Sequence, residues 1–167
     1  MPSDASKGRP LKQQPPVALS PWVKRVVAVD ESADMLRAAR DRLGVLKNVG
    51  VKEGNLERLP VRDAELDIAM LSLVLHHVPD PGQALAEVGR VVKPGGRVLV
   101  VDMLPHDRAE YRQGMGHVWL GFSAKHLTKL LNSAGFGDVR VGPLPVDRAA
   151  KGPALFVAVA TKQAGRA

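Results

Sequence analysis

Two adjacent histidines, His76 and His77, stand just ahead of a Val-Pro-Asp-Pro run and are the most reactive-looking side chains in this sequence. An imidazole titrates near neutrality, so it can take a proton from a nucleophile as that nucleophile attacks. Neighbours on a loop or helix point apart, so the two rings are not expected to aim at one atom; packing or capping is the alternative use of either. The motif carries neither cysteine nor carboxylate partners, which makes it a weak metal signal, and no metal site is expected. Further along, His106, Tyr111, His117 and Trp119 form a mixed imidazole and aromatic set. Such a set suits a pocket for an amphipathic small molecule, or the packing of a polar lid helix. Asp30 ends an apolar run. An acid at the carboxyl end of a strand can accept hydrogen bonds from ribose hydroxyls, or merely fix a turn. Asp102 ends a second such run and can orient a lid or a substrate donor.

These side chains need a frame, and the pattern supplies one. "RVVAVD" (Arg25 to Asp30) is a short β-branched run of the kind buried on both faces of a sheet. Ser32 is placed to cap a helix with Met35, Leu36, Ala39 and Leu43 on one side and Gly44 as its stop. "VGVKEG" (Val49 to Gly54) and "LDIAMLS" (Leu66 to Ser72) read as further strands. Asp80 and Pro81 open a helix with an apolar stripe through Ala84, Leu85, Val88, Val91 and Val92. "KPGG" (Lys93 to Gly96) reads as a structural turn ending that helix ahead of the strand "RVLVVDM". Ser123 caps a last helix that stops at Gly135. "DVRVGPL" and "ALFVAVAT" then read as an antiparallel hairpin at one edge of an otherwise parallel α/β sheet.

Composition narrows the classes. The 167 residues suffice for one α/β domain, and 45% apolar with 25% charged residues is ordinary for a globular chain. Cysteine is absent, which excludes disulfides, thiolate metal sites and cysteine nucleophiles, and fits a cytoplasmic setting. The net charge of +7 is scattered among acids beyond residue 25, so a solvated surface is expected rather than a nucleic-acid interface. No signal peptide or membrane span is read. Residues 1–16, rich in proline, lysine and small polar residues, read as a loosely packed leader; 17–163 read as the folded domain and 164–167 as a tail.

In order and spacing, "RVVAVDESADMLRAAR", "GNLERLP", "LDIAMLSLVLHHVPDPGQALAEVGRVVKPGGRVLVVDM" and "WLGFSAKHLTKLLNSAGF" resemble class I S-adenosylmethionine-dependent methyltransferases with an "LHH" motif. The match runs over about Val23 to Thr161. The "WLGFS" segment and the His106 region look closest to methyltransferase domains fused to ArsR-type regulators. The resemblance implies a Rossmann-like sheet with helices on both faces. It also implies S-adenosyl-L-methionine as cofactor and a small-molecule methyl acceptor. By resemblance Asp30 and Glu31 lie at the ribose and Met35 at the adenine edge, unless Met35 is a core residue. Asn55 stands where the family has an adenine-binding acid, followed by the backbone of Leu56, unless this is a plain turn. Ser72 and Leu73 fall beneath the methionine arm. His76, His77 and His106 are the catalytic candidates.

The same resemblance shows a departure. The family's first strand and glycine-rich loop should precede Asp30, yet "GRPLKQQPPVALS" has no glycine pair, and only Val17 to Ser20 has strand character. The chain is therefore expected to lack that strand and loop, with two sheet edges left to meet, to take in Val17–Ser20, or to recruit a strand by exchange or from a partner. Reduced stability and impaired cofactor binding follow. A non-catalytic methyltransferase-like module acting through protein partners is the alternative reading. A nicotinamide-dependent dehydrogenase would need the glycine fingerprint, and arsenite methylation would need thiols; both are set aside.

Overall fold

The computed structural model describes residues 15–146 and 151–165. They fall into two compact units, one ending at Asn55 and the other beginning at Leu56. The boundary between them lies within the stretch 17–163 read above as one domain. The leader up to residue 14 and the tail from residue 166 lie outside the described residues.

In the first unit, α1 (Pro15–Leu19) runs into a 3-10 turn, Ser20–Trp22, and is followed by β1 (Val26–Asp30), α2 (Ala33–Leu43) and β2 (Val49–Glu53). Val17–Ser20 is thus helical and is not taken into a sheet. Two prolines at the helix start explain this: their fixed φ suits the first turn, where an N–H would have no intrahelical partner. The Asn48 side-chain amide donates to the carbonyls of Ser20 and Val23 and ties the segment down. β1 and β2 pair in parallel from Val26–Val49 to Asp30–Glu53, as a strand–helix–strand crossover requires. Ser32 caps α2 by accepting from the Met35 N–H. Leu36 and Leu43, two turns apart, are buried at 2% exposure each, whereas Met35 is 52% exposed. A helix turns about 100° per residue, so Met35 lies well off the line joining those two leucines. Met35 is therefore not the core residue that the pattern allowed.

The second unit contains β3 (Leu66–Ser72), a 3-10 turn at Leu75–His77, α3 (Pro81–Val91), β4 (Val92–Met103), α4 (Glu110–Met115), α5 (Ala124–Ser133), β5 (Phe136–Pro143) and β6 (Leu155–Lys162). Their sheet runs β3-β4-β6-β5, parallel between β3 and β4 and antiparallel beyond. The final hairpin is present as read, with β6 inside and β5 at the edge. Asp80 caps α3 through the Gln83 N–H, and Ser123 caps α5 through the His126 N–H. Leu85, Val88, Leu127 and Leu131 of those helices pack on Phe156, Ala158 and Ala160 of β6 in one hydrophobic core.

"KPGG" differs from expectation in its place. It lies inside β4 rather than ahead of it, in the gap between the pairs Leu66–Val92 and Ile68–Arg97. Gly95 has φ +78°, and a Cβ on Gly96 would come within 2.7 Å of Val92 Cγ1 and 2.8 Å of the Asp67 carbonyl. Glycine is required there because the backbone doubles back on its own strand. Its structural role stands.

Candidate active site

The carboxyl ends of β3 and β4 lie side by side, Ser72 opposite Val101. Beyond β3 the chain turns sharply. Leu73 sits at φ +56°, a left-handed conformation unusual for leucine, while its N–H continues the ladder to the Val101 carbonyl at 2.8 Å. The fully buried Leu75 then anchors the short turn that carries the two histidines.

His76 is 2% exposed and Asp102 is 0% exposed. The Asp102 carboxylate accepts from His76 Nδ1 at 2.7 Å, from the His76 backbone N–H at 3.3 Å and from the Met103 N–H at 2.8 Å. A carboxylate accepts here, so these bonds put a proton on His76 Nδ1, and in the neutral ring Nε2 then carries the lone pair. The exposed His77 follows the same rule, because its Nδ1 faces the Gly116 carbonyl at 3.0 Å and must donate. The His76 carbonyl accepts from the N–H groups of Val118 and Trp119, both at 3.0 Å, and the Trp119 indole donates to the Val78 carbonyl. These bonds fold the segment after α4 over the turn and bring His117 onto the pair.

The result is an imidazole cluster. Ring centroids lie 4.1 Å apart for His76–His77, 4.2 Å for His76–His117 and 5.0 Å for His77–His117. Tyr111 packs edge-on against both His117 and His106. One ring nitrogen from each of His76, His77 and His117 lies within 4.8 Å of the other two. Buried polar atoms without a hydrogen-bond partner sit here as well: His117 Nδ1 and His106 Nε2. Burial pushes the His117 imidazolium pKa below its ordinary value, and the neighbouring His76, His77 and His106 push the same way. Burial lowers His106 too, helped by Arg108.

The two rings, expected to point apart, instead lie against each other, and a third histidine from a distant segment packs on both. Asp102, whose role was open, is the group that orients His76. Neither link is visible in the sequence, because 26 residues separate Asp102 from His76 and about 40 separate His117 from the pair. The one usable signal was that Asp102 and His76 lie at or just past the carboxyl end of a strand. His106 is near but apart, with Tyr111 between its ring and His117.

The cofactor candidates fall in both units. In the first unit Asp30 is half-buried at the end of β1, with Oδ1 accepting from the Ser32 N–H at 2.9 Å. The turn-fixing role is therefore real, and Oδ2 makes no hydrogen bond among the described residues. Glu31, Met35 and Asn55 are exposed. In the second unit Ser72 is half-buried on β3, and Leu56 packs its side chain against the core. A separate surface cavity of ≈ 610 Å³, lined by Arg97, Asp138, Arg140 and Thr161 among others, includes none of these residues.

Comparison with known proteins agrees with this architecture. The signature of the methyltransferase domain family matches residues 12–100, more than half of the chain. An uncharacterised 37.1 kDa protein from a Streptomyces fradiae transposon is 45% identical over 76 residues, which are 46% of this chain and 22% of that protein. The ubiquinone/menaquinone biosynthesis C-methyltransferase UbiE of Haemophilus ducreyi is 40% identical over 81 residues, 47% of this chain and 31% of UbiE. The chain thus spans well under half the length of the curated relatives it matches. Among solved structures, the YcgJ protein of Bacillus subtilis superposes with a TM-score of 0.73 at 20% identity, covering 89% of this chain and 87% of that one; at this identity the likeness speaks for the fold. With a Rossmann-like α/β fold and a family match across its first three strands and into the fourth, this chain belongs to the methyltransferase domain family.

Proposed function

We propose that the chain carries out S-adenosyl-L-methionine-dependent methyl transfer to a small-molecule acceptor. The observation that carries this reading is the imidazole cluster at the carboxyl ends of β3 and β4, with His76 held by the buried Asp102. Asp30 fits the cofactor's ribose, since its carboxylate ends a parallel strand and keeps one oxygen for a hydroxyl. Bound there, S-adenosylmethionine supplies an electrophilic sulfonium methyl. The chain's own residues must align the acceptor and take up its proton. His76 and His77 both present Nε2 lone pairs for that purpose, while Asp102 fixes the ring of His76 and stabilises it once protonated. Tyr111 supplies apolar surface beside His117 of the same cluster. An acceptor with an acidic O–H, N–H or C–H and an apolar body suits such surroundings.

The non-catalytic reading keeps one specific support. Among the described residues β1 pairs with β2 alone and β3 with β4 alone, and Ile68 on β3 is 60% exposed, so a partner strand has somewhere to add. No helix among the described residues is long and apolar enough to cross a membrane.

Thermal unfolding with and without S-adenosylmethionine or S-adenosylhomocysteine tests the assignment. Ligand at ~100 times its dissociation constant stabilises by about 2.7 kcal/mol, or roughly 5–10 °C for a chain of this size. The shift should saturate and should vanish in Asp30→Ala. A cooperative melt that neither ligand moves at millimolar concentration refutes cofactor use and leaves the partner-binding reading.

A further inference from the structure

We propose that His76, His77 and His117 form a binding site for a divalent transition-metal ion of the zinc class, with Asp102 as the outer carboxylate behind His76. The inference competes with the proton-accepting role given above to His76 and His77, because a ring nitrogen that holds an ion cannot also take a proton, and it rests on how the ring nitrogens are used. One nitrogen from each ring lies within 4.8 Å of the others, contributed by two distant stretches of chain. Ligand nitrogens around a tetrahedral zinc stand about 3.4 Å apart. Closing the cluster on an ion therefore takes up to about 1.4 Å of side-chain movement, in which the exposed His77 can share.

The hydrogen bonds prepare two of the rings for coordination. His76 gives its Nδ1 proton to a carboxylate and His77 gives its own to a backbone carbonyl, so both keep Nε2 as a lone-pair donor. Metal-ligating histidines are held by outer partners of these two kinds, which fix the tautomer and raise the basicity of the free nitrogen. The third ring adds a separate observation: His117 is 5% exposed and its Nδ1 has no partner. A buried nitrogen without a hydrogen bond is costly to keep, and a cation in the cluster would satisfy the site. Packing alone explains contact between rings, but it does not explain two protonated Nδ1 atoms turned outward to fixed acceptors beside a third, orphaned nitrogen.

The donor set selects the ion. Three neutral imidazoles with no inner carboxylate or thiolate favour zinc, copper, nickel or cobalt over magnesium and calcium. Three protein ligands also leave a coordination position open, as reactive rather than purely structural sites do.

The test uses the whole chain stripped with chelator, without cofactor. Zn²⁺ is titrated by calorimetry, and Co²⁺ by the visible absorption of its tetrahedral complex. Binding of one ion per chain is expected, weakened about tenfold or more in His117→Phe and in His77→Phe. His126→Phe, outside the cluster, should bind as the parent does. His77→Phe changes an exposed ring and keeps the test decisive if His117→Phe fails to fold. Absence of Zn²⁺ and Co²⁺ binding, binding unchanged in both cluster variants, or loss in His126→Phe overturns the proposal. Zinc binding in a chain whose melt ignores S-adenosylmethionine would leave this site standing while removing the methyl-transfer reading, and the reverse result would do the opposite.

Discussion

Replacing Asp102 with asparagine changes one atom at the centre of the site, and its cost follows from the bonds in place. Oδ1 accepts from His76 Nδ1 and from the Met103 N–H, and Oδ2 accepts from the His76 N–H. In Asp102→Asn the amide oxygen can keep the Oδ1 pair, but an NH₂ group then faces the His76 N–H, donor against donor. That leaves a buried donor unsatisfied, worth about 1–3 kcal/mol, and reduces a charge-assisted bond to a neutral one, worth about 1 kcal/mol. Removing a fully buried charge returns part of this. The expected net loss is about 2–3 kcal/mol, or roughly 4–12 °C in Tm for this length. Thermal and urea unfolding followed by circular dichroism measure it. The His76→Phe background sharpens the test. There the ring bond is already gone but the clash with the backbone N–H of residue 76 persists, so Asp102→Asn should cost about 1 kcal/mol less than in the parent. Equal costs in both backgrounds, or a change below about 1 °C in the parent, would refute the claim that a buried, ionised Asp102 holds His76.

Two further perturbations reach other parts of the frame. Gly121 has φ +87°, and an added Cβ would fall 2.2 Å from the Leu104 carbonyl oxygen, so Gly121→Ala should cost about 2–5 kcal/mol from left-handed strain plus overpacking, read as a lowered urea midpoint. Glu87 is bound by the Arg90 side chain and the Leu59 N–H, and the Arg90 hydrogen bond holds its pKa below the ordinary 4.5 against an opposing push from burial. A carboxylate with a depressed folded-state pKa contributes stability that is fully present above its unfolded value and is lost as pH falls through the folded one. Glu87→Gln should therefore destabilise by about 1–2 kcal/mol at pH 7, with the gap to the parent closing below pH ~4.5; a gap that is constant from pH 7 to 3.5 would argue against the pairing.

The sequence by itself determined the elements. Alternation of β-branched runs with capped amphipathic stripes fixed β1, α2, β3 and α3 nearly to the residue, because period, N-cap and proline position are local properties. It also picked out Asp30, at the carboxyl end of a strand where ligands bind in such a sheet, and the histidines, whose imidazoles titrate near neutrality. Local pattern was misled where tertiary contact overrides it. Met35 sits beside a buried leucine but faces solvent, and Val17–Ser20 has strand composition yet follows two prolines into a helix. The site itself belongs to the tertiary structure. That Asp102 holds His76 depends on β4 lying beside β3, and that His117 completes the cluster depends on three backbone and indole bonds from Val118 and Trp119 to the histidine turn. Sequence distance carries no information about such pairs; only the register of the sheet and the path of the chain after α4 bring their atoms together.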